Sequence, residues 1–326
     1  MNIFFIGDIV IKKIYKKKLI ICSIVIFSIF LLCIFPHKND FINIKEELSY
    51  KENIETSTIF LMDSNNYIAC TKIITKEKNV EKKAFELIES LIIDSSKQDN
   101  IPNGFKAIIP NGTKILSINY NNNTIKINFS KELMNTSINY EEAIIEAIVY
   151  TLTSIHDVKY VIIYMENELL TKLPKSKINL PSTLDRSFGI NKKYDITKLD
   201  NINKTTIYYI NTFDDKTYYV PVTKINNDDR NKIEIIIDEL SSNNTYKTNL
   251  MSYLNSNTKL ISAEEKENEL RLSFNNSILD NINNQTILEE VIYTISLSVK
   301  DNYNVNSVIF NVDNKEIYKS VLKTLE

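Results

Sequence analysis

From residue 57 onward, the spacing of apolar residues switches between the two-residue period of strands and the longer period of helices. The last predicted strand, 159–165, is nearly continuous in apolar residues, as in a strand buried on both faces. The order is ββαββαβ, an α+β fold with the helices on one face of a sheet. The predicted strands are 59–62, 67–73, 115–119, 124–129 and 159–165, and the helices begin near 80 and 140.

The same order of elements recurs later in the chain. The offset between matching motifs stays between 143 and 152 residues, which indicates duplicated domains. We therefore predict a first copy at 57–192, including an ordered tail, a linker at 193–203 and a second copy at 204–326. The matches include 71–73 with 223–225, 150–152 with 293–295, and 161–163 with 308–310.

The N-terminal part of the chain predicts a membrane anchor. Residues 19–35 contain no charge, Gly or Pro, which favours one transmembrane helix near the short end of the spanning range. The basic segment 1–18 carries five Lys, so we expect it to stay cytoplasmic, with the polar stem 36–56 and both copies outside. Cys33 lacks small residues before it, which favours an uncleaved single-pass anchor in the cell membrane over a lipoprotein signal.

The composition of the chain limits the kinds of binding and catalytic site that it can form. The net charge of −2 gives no electrostatic basis for nucleic-acid binding. With 4 Gly, 2 His and 3 Cys, the chain has little material for phosphate loops or metal sites, so we predict no cofactor and no metal. Cys22 and Cys33 fall in the predicted span. Cys70 then has no partner for an internal disulfide outside the membrane.

The titratable and aromatic candidates do not converge on a reaction. His37 and His156 are isolated in sequence, and adjacent Glu residues at helix starts are explained by capping and the helix dipole. A glycosidase would need two carboxylates meeting from separate segments, and nothing selects a pair. We therefore predict no catalytic residue, although a Tyr-rich surface could bind a partner or a glycan. The Glu and Tyr candidates are Glu141, Glu142, Glu264, Glu265, Glu289, Glu290, Tyr208, Tyr209, Tyr218 and Tyr219.

Several motifs resemble a known domain. Pro110-Asn111-Gly112-Thr113, the hairpin ending at Phe129, Tyr150-Thr151-Leu152 and the tail ending at Ile190-Asn191 are similar to the GerMN domain. Two such domains behind a membrane attachment resemble the GerM family of bacterial sporulation and spore germination proteins. The second copy departs from the pattern, with Ser256-Asn257-Thr258 in place of the Gly turn. The fold implied is similar to the ring-building modules of secretion-like complexes.

The resemblance implies a non-enzymatic envelope protein. It would scaffold a complex between the mother-cell and forespore membranes, with its ectodomain in the space between them. The implied partners are other sporulation envelope proteins, such as ring or channel components, with self-association left open. An alternative is a module that binds or cuts peptidoglycan of the cortex. A weaker alternative is an extracytoplasmic sensor accessory domain.

Overall fold

The computed structural model describes residues 55–242 and 249–322, which belong to one compact unit, Ile54–Glu326. The elements of the first copy are β1 Thr56–Asp63, β2 Ile68–Ile74, α1 Val80–Ser90, β3 Phe105–Lys106, β4 Ile115–Asn121, β5 Thr124–Phe129, α2 Glu141–Leu152, β6 Tyr160–Met165 and β7 Glu168–Leu169. Its tail carries a short 3-10 turn at Arg186–Phe188, and β8 Lys193–Asp195 follows. The elements of the second copy are β9 Asn203–Phe213, β10 Lys216–Asn226, α3 Lys232–Ser241, β11 Leu260–Lys266, β12 Glu269–Phe274, α4 Glu289–Asn302, β13 Ser307–Val312 and β14 Lys315–Val321.

The N-terminal hairpins of the two copies join in one sheet. Its order is β3-β1-β2-β10-β8, and β9 pairs with β10 along the whole length of both strands. The copies meet where β2 and β10 run antiparallel, with Cys70 opposite Tyr219. The predicted linker contributes to this sheet, since Lys193 of β8 lies opposite Lys224 of β10 in parallel register.

Each copy also has a four-stranded sheet of its own, in the order β4-β5-β6-β7 and β11-β12-β13-β14. The prediction of one sheet per copy is therefore wrong. Period-two patterning shows that a segment is a strand, but it does not show which strand it pairs with. The α+β class is confirmed, whereas the order is ββαβββαββ in the first copy and ββαββαββ in the second, because a last strand follows β6 and β13 and the first copy has the additional short strand β3.

The helices pack between the two kinds of sheet. In the first copy, α2 contacts β1 and β2 of the shared sheet and β6 of the copy's own sheet, while α1 contacts β4 and α2. Asn79 caps α1, and its side chain accepts a hydrogen bond from the Lys82 N–H. In β6, Val161 and Ile163 are buried while Ile162 and Tyr164 are partly exposed, so the predicted burial on both faces is wrong.

Helix side chains satisfy the outer edges of the shared sheet. The N–H of Phe60 on β1 donates to Oγ1 of Thr151 on α2, and the N–H of Tyr208 on β9 donates to Oγ of Ser298 on α4. Asn302 of α4 accepts from the N–H of Thr206 and donates to its carbonyl. A satisfied edge offers less backbone for pairing with another chain.

Thr151 and Ser298 thus occupy equivalent places in the two copies. The sequence match of 150–152 with 293–295 instead pairs Thr151 with Thr294. Thr294 lies four residues before Ser298, the position that the hydrogen bonds show to be equivalent. Four residues are close to one helical turn, so the displaced match has almost the same pattern of buried positions.

The predicted transmembrane helix at 19–35, the tail 1–18 and the stem up to residue 54 lie outside the described residues. Among residues 55–242 and 249–322, no helix has the length and apolar character needed to cross a bilayer.

Candidate functional site at the junction of the two copies

The tail of the first copy places one arginine in the junction. Arg186 Nη1 lies 2.6 Å from Oδ1 of Asp301 on α4, and the Asp301 side chain is only 1% exposed. The hydroxyl of Tyr208 donates to the other Asp301 oxygen at 2.8 Å. The carboxylate is therefore held by two donors, one from each copy.

Most other contacts of Arg186 lie in the first copy, although its Nη1 also donates to the hydroxyl of Tyr208 in the second copy at 3.4 Å. Its Nη2 donates to Oγ of Ser154 at 2.9 Å, and its guanidinium lies over the ring of Tyr150, 5.0 Å from the centroid. Burial works against the charged guanidinium, but Asp301 outweighs it and raises the pKa of Arg186. Arg186 therefore keeps its positive charge beside Asp301 of the second copy.

Arg186 lies between equivalent positions of the two copies. With Thr151 equivalent to Ser298, Ser154 is equivalent to Asp301, and Arg186 bonds to both. The first copy supplies a neutral hydroxyl at this position and the second supplies a carboxylate. The two positions together therefore offer one negative charge to the one positive charge of Arg186.

A second buried carboxylate lies near the turns of the two hairpins. Asp63 is 0% exposed and accepts from the hydroxyl of Tyr218 and the amide of Asn211, both in the second copy. Its other oxygen accepts from the N–H groups of Asn65 and Tyr67 in its own turn. Four donors satisfy the buried charge, as burial of an unpaired carboxylate would require.

Asn191 links the two central strands directly. Its amide nitrogen donates to the carbonyls of Ile68 on β2 and Pro221 on β10, and its oxygen accepts from the Ile68 N–H. The residue has φ 46°, a left-handed conformation that asparagine tolerates. One amide thereby fixes the register of β2 against β10.

A carboxylate on α2 supports this link. Glu146 accepts from the N–H of Asn191 at 2.9 Å and lies 3.3 Å from the Lys192 ammonium. Burial raises the pKa of Glu146 to about 7, although Lys192 and the Asn191 N–H favour its charged form. Glu142 pairs with the same Lys192 at 2.7 Å, so both acidic groups serve the junction.

The Tyr candidates lie in packed regions and do not form an aromatic surface. Tyr208, Tyr209 and Tyr218 are buried. Tyr219 is partly buried and stacks on Tyr293 at 5.7 Å. Period-two alternation correctly places successive tyrosines on opposite faces, but other elements of the fold cover both faces.

The Glu candidates have different environments. Glu141 accepts from the N–H groups of Lys175 and Ser176. Burial opposes its ionisation, but these bonds outweigh it and lower the pKa of Glu141. Glu264 and Glu265 are exposed on β11 and not at a helix start, so capping does not explain them. Glu289 and Glu290 do lie in the first turn of α4.

The remaining candidates do not assemble a reaction centre. His156 is exposed and its Nδ1 lies 2.7 Å from Asp157, while His37 lies outside the described residues. Burial raises the pKa of the Cys70 thiol to about 11, so the thiol is protonated and unreactive. Within residues 55–242 and 249–322, no cluster of three His, Cys, Asp or Glu side chains could hold a metal ion.

Sequence reasoning missed Arg186, Asp301, Asp63 and Asn191 as a set. Asn191 belongs to the tail motif and Asp63 to a turn signal, which marks them only as local features. Their partners lie up to 155 residues away, for example Tyr218 for Asp63. Such pairs become visible only once the two hairpins are joined.

Comparison with known proteins gives concordant findings. The family described as "Germane: Sporulation and spore germination" matches residues 58–171 and 206–318. The spore germination protein GerM of Bacillus subtilis (strain 168) is 28% identical over 263 residues, which cover 79% of this chain and 71% of that protein. The solved tandem GerMN domains of the sporulation protein GerM from Bacillus subtilis are 26% identical, with a TM-score of 0.70.

That structural match covers 80% of this chain and 92% of the solved chain. The two segments matched by the family fall on the strands and helices of the two copies. The chain therefore belongs to the GerM family of sporulation and spore germination proteins and carries tandem GerMN domains.

Proposed function

We propose that this protein is a non-enzymatic scaffold of the sporulating cell envelope. A helix at 19–35 anchors it in the membrane, and the tandem domains assemble with other envelope proteins between the mother-cell and forespore membranes. Ring or channel components are the proposed partners, and self-association is a further mode of assembly.

The buried junction is the observation that carries this proposal. Arg186–Asp301, Asp63–Tyr218 and Asn191 hold the copies at three places, so their relative orientation is fixed. A rigid pair of domains presents its surfaces to partners in a constant geometry, which reduces the ordering cost of assembly. The polar groups at the junction are satisfied by one another, which favours a structural role for them.

An exposed apolar segment supports an assembly role and offers a contact surface. Tyr194 is 63% exposed and Leu199 is 95% exposed, and Ile196 and Ile202 are also exposed. Neighbouring apolar side chains left in solvent are typical of protein-binding sites. The segment begins in β8, which pairs with β10 of the second copy in the shared sheet. Its position therefore depends on both copies.

The test is complementation with tagged full-length protein in sporulating cells, followed by pull-down. The double change Tyr194→Asp and Leu199→Asp should abolish partner recovery and sporulation together. Ile282→Asp is the matched control, because Ile282 is 69% exposed on another segment and its replacement should leave both unchanged.

A second set of variants tests the enzyme alternative. His156→Ala, Glu264→Gln and Glu289→Gln should each retain function, because none of these side chains contributes to the junction. Loss of sporulation in one of them, with normal protein level and normal partner recovery, would show that the scaffold proposal is wrong.

A further inference from the structure

The outward face of the sheet β4–β7 carries a small polar cavity. It has a volume of about 270 Å³ and is open to solvent. Its lining residues come from three neighbouring strands and the turn after β6. They include Ser117, Asn119, Lys126, Asn128, Tyr164 and Asn167.

The floor of the cavity is rigid. Asn128 is 7% exposed, and its amide donates to Oδ1 of Asn167 at 2.8 Å while its oxygen accepts from the Asn167 N–H at 3.1 Å. Asn167 holds φ 67° in the turn after β6. Side chains fixed before binding lose little entropy when a ligand arrives.

The walls retain free hydrogen-bonding capacity. Asn119 lies opposite Lys126 in the sheet, and Asn128 lies opposite Tyr164. Among the described residues, the Asn119 amide, the Lys126 ammonium and the Tyr164 hydroxyl have no hydrogen-bond or ion-pair partner. The lining has one cation and no carboxylate.

The second copy lacks this combination of side chains. Register places Glu264 and Arg271 where the first copy has Asn119 and Lys126. Asn311 stands where the first copy has Tyr164, so the ring is absent. Arg271 is engaged by Glu269 at 3.0 Å. The cavity chemistry is therefore a property of the first copy and not of the fold.

We propose that this cavity binds a polysaccharide of N-acetylated amino sugars that carry carboxylate groups. The apolar C–H face of a sugar ring packs on the Tyr164 ring, whose hydroxyl remains available for a hydrogen bond. The side chains of Asn119 and Asn167 pair with acetamido and hydroxyl groups, since an amide both donates and accepts. Lys126 pairs with the carboxylate.

A sugar fits this cavity better than a protein surface does. Small-molecule sites are concave, with volumes from about 300 Å³ upward and a few placed polar groups. At about 270 Å³ the cavity lies just below that range, so it holds one sugar ring of a longer chain. A protein partner would require roughly 800 Å² of contact with an apolar centre on each side. The inference is independent of the scaffold proposal, because binding is measured on the isolated full-length protein.

The experiment measures binding of purified full-length protein to two soluble probes by titration calorimetry. One probe is a peptidoglycan tetrasaccharide with N-acetylmuramic acid, which bears carboxylates, and the other is neutral tetra-N-acetylchitotetraose. Tyr164→Ala should weaken both interactions about tenfold or more, as for a central aromatic contact. Tyr164→Phe should retain most of the affinity, because it keeps the ring that packs on the sugar.

Two further variants make the assignment specific. Lys126→Gln should reduce affinity for the acidic probe and leave the neutral probe unchanged. Asn311→Ala is the matched control at the equivalent position of the second copy and should bind as the native protein does. Circular dichroism melting confirms that each variant is folded.

Absence of binding by the native protein would overturn the proposal, and so would equal binding by folded Tyr164→Ala. Recovery of a protein partner through Tyr164 without sugar binding would assign the face to protein recognition instead, which also overturns it.

Discussion

Apart from the short strand β3, the two copies share an order of elements, but they differ at their C-terminal ends. In the second copy, β13 pairs with the seven-residue strand β14, and Val308 lies opposite Ser320. In the first copy, β7 has two residues, and Val161 pairs instead with Leu184 of the tail. Where the second copy has the strand β14, the first copy has β7 and the chain that leads from it to Leu184. The tail then continues to Arg186 and Asn191. The C-terminal end of the first copy therefore supplies Arg186 and Asn191 to the junction.

The difference teaches that the copies are not interchangeable modules. The first copy provides the arginine and the asparagine of the junction, while the second provides Asp301 as acceptor. Equivalent positions meet there, as when Asn211 of the second copy donates to Asp63 of the first. A duplicated fold has thereby become one asymmetric body.

The substitution Asp301→Ala should destabilise the junction more than any other change considered. It leaves Arg186 buried without its partner, so the free energy of unfolding should fall by about 3–5 kcal/mol. Urea denaturation of the full-length protein measures the loss. The exposed pair of Arg230 with Asp228 provides the control, because Arg230→Met should cost at most about 1 kcal/mol. Equal losses in the two variants would contradict a special role for the junction.

A pH series tests the carboxylate that supports Asn191. The pKa of Glu146 is raised from 4.5 to about 7 by burial, so the folded protein binds the proton more tightly than the unfolded chain. Stability from this group is full below about pH 4.5 and is lost as pH rises through about 7, by up to ~3 kcal/mol.

Glu146→Gln should remove this slope from the unfolding free energy between pH 4.5 and 7. By the register of Thr151 with Ser298, the equivalent position in the second copy is Tyr293, and Tyr293→Phe should leave the slope in place. A slope of the same size in Glu146→Gln would show that another group causes it.

The packing of the two copies is also sensitive to one glycine. Gly104 has φ +89°, and a Cβ there would lie 2.5 Å from the ring of Phe213 in the second copy. Gly104→Ala should cost about 2 kcal/mol or more through backbone strain and overpacking together.

Gly112 separates the two causes. Its φ is +82°, but a Cβ there meets no atom within 4 Å. Gly112→Ala should therefore cost only the strain, about 1 kcal/mol. If thermal melts show the same loss for both variants, the contact with Phe213 contributes nothing.

The smallest predicted effects test the equivalence of the two helices. Thr151→Val and Ser298→Ala each remove the acceptor of a strand N–H and should cost about 1 kcal/mol. Thr294→Val is the control, since the Thr294 hydroxyl donates only to carbonyls of its own helix. A larger loss at Thr294 than at Ser298 would favour the sequence-based match.

Local elements were predictable from the chain because their signals are local. The cap at Asn79, the hairpin β4–β5 and the buried stripe of α2 follow from neighbouring residues. The duplication was predictable because both copies kept their order of strands and helices. The one-turn error at residues 293–295 has a physical cause, since a shift of four residues preserves the buried face of a helix.

The sequence by itself determined the class of fold, the duplication and the family. Only the tertiary structure decided which strands pair, and with that the shared sheet and the junction. Pairing of β2 with β10 rests on contacts between residues far apart, such as Asn191 with Pro221, and these leave no periodic pattern. Exposure of Tyr164 was likewise a tertiary outcome, because an apolar run has the same appearance whether one or both faces of its strand are covered.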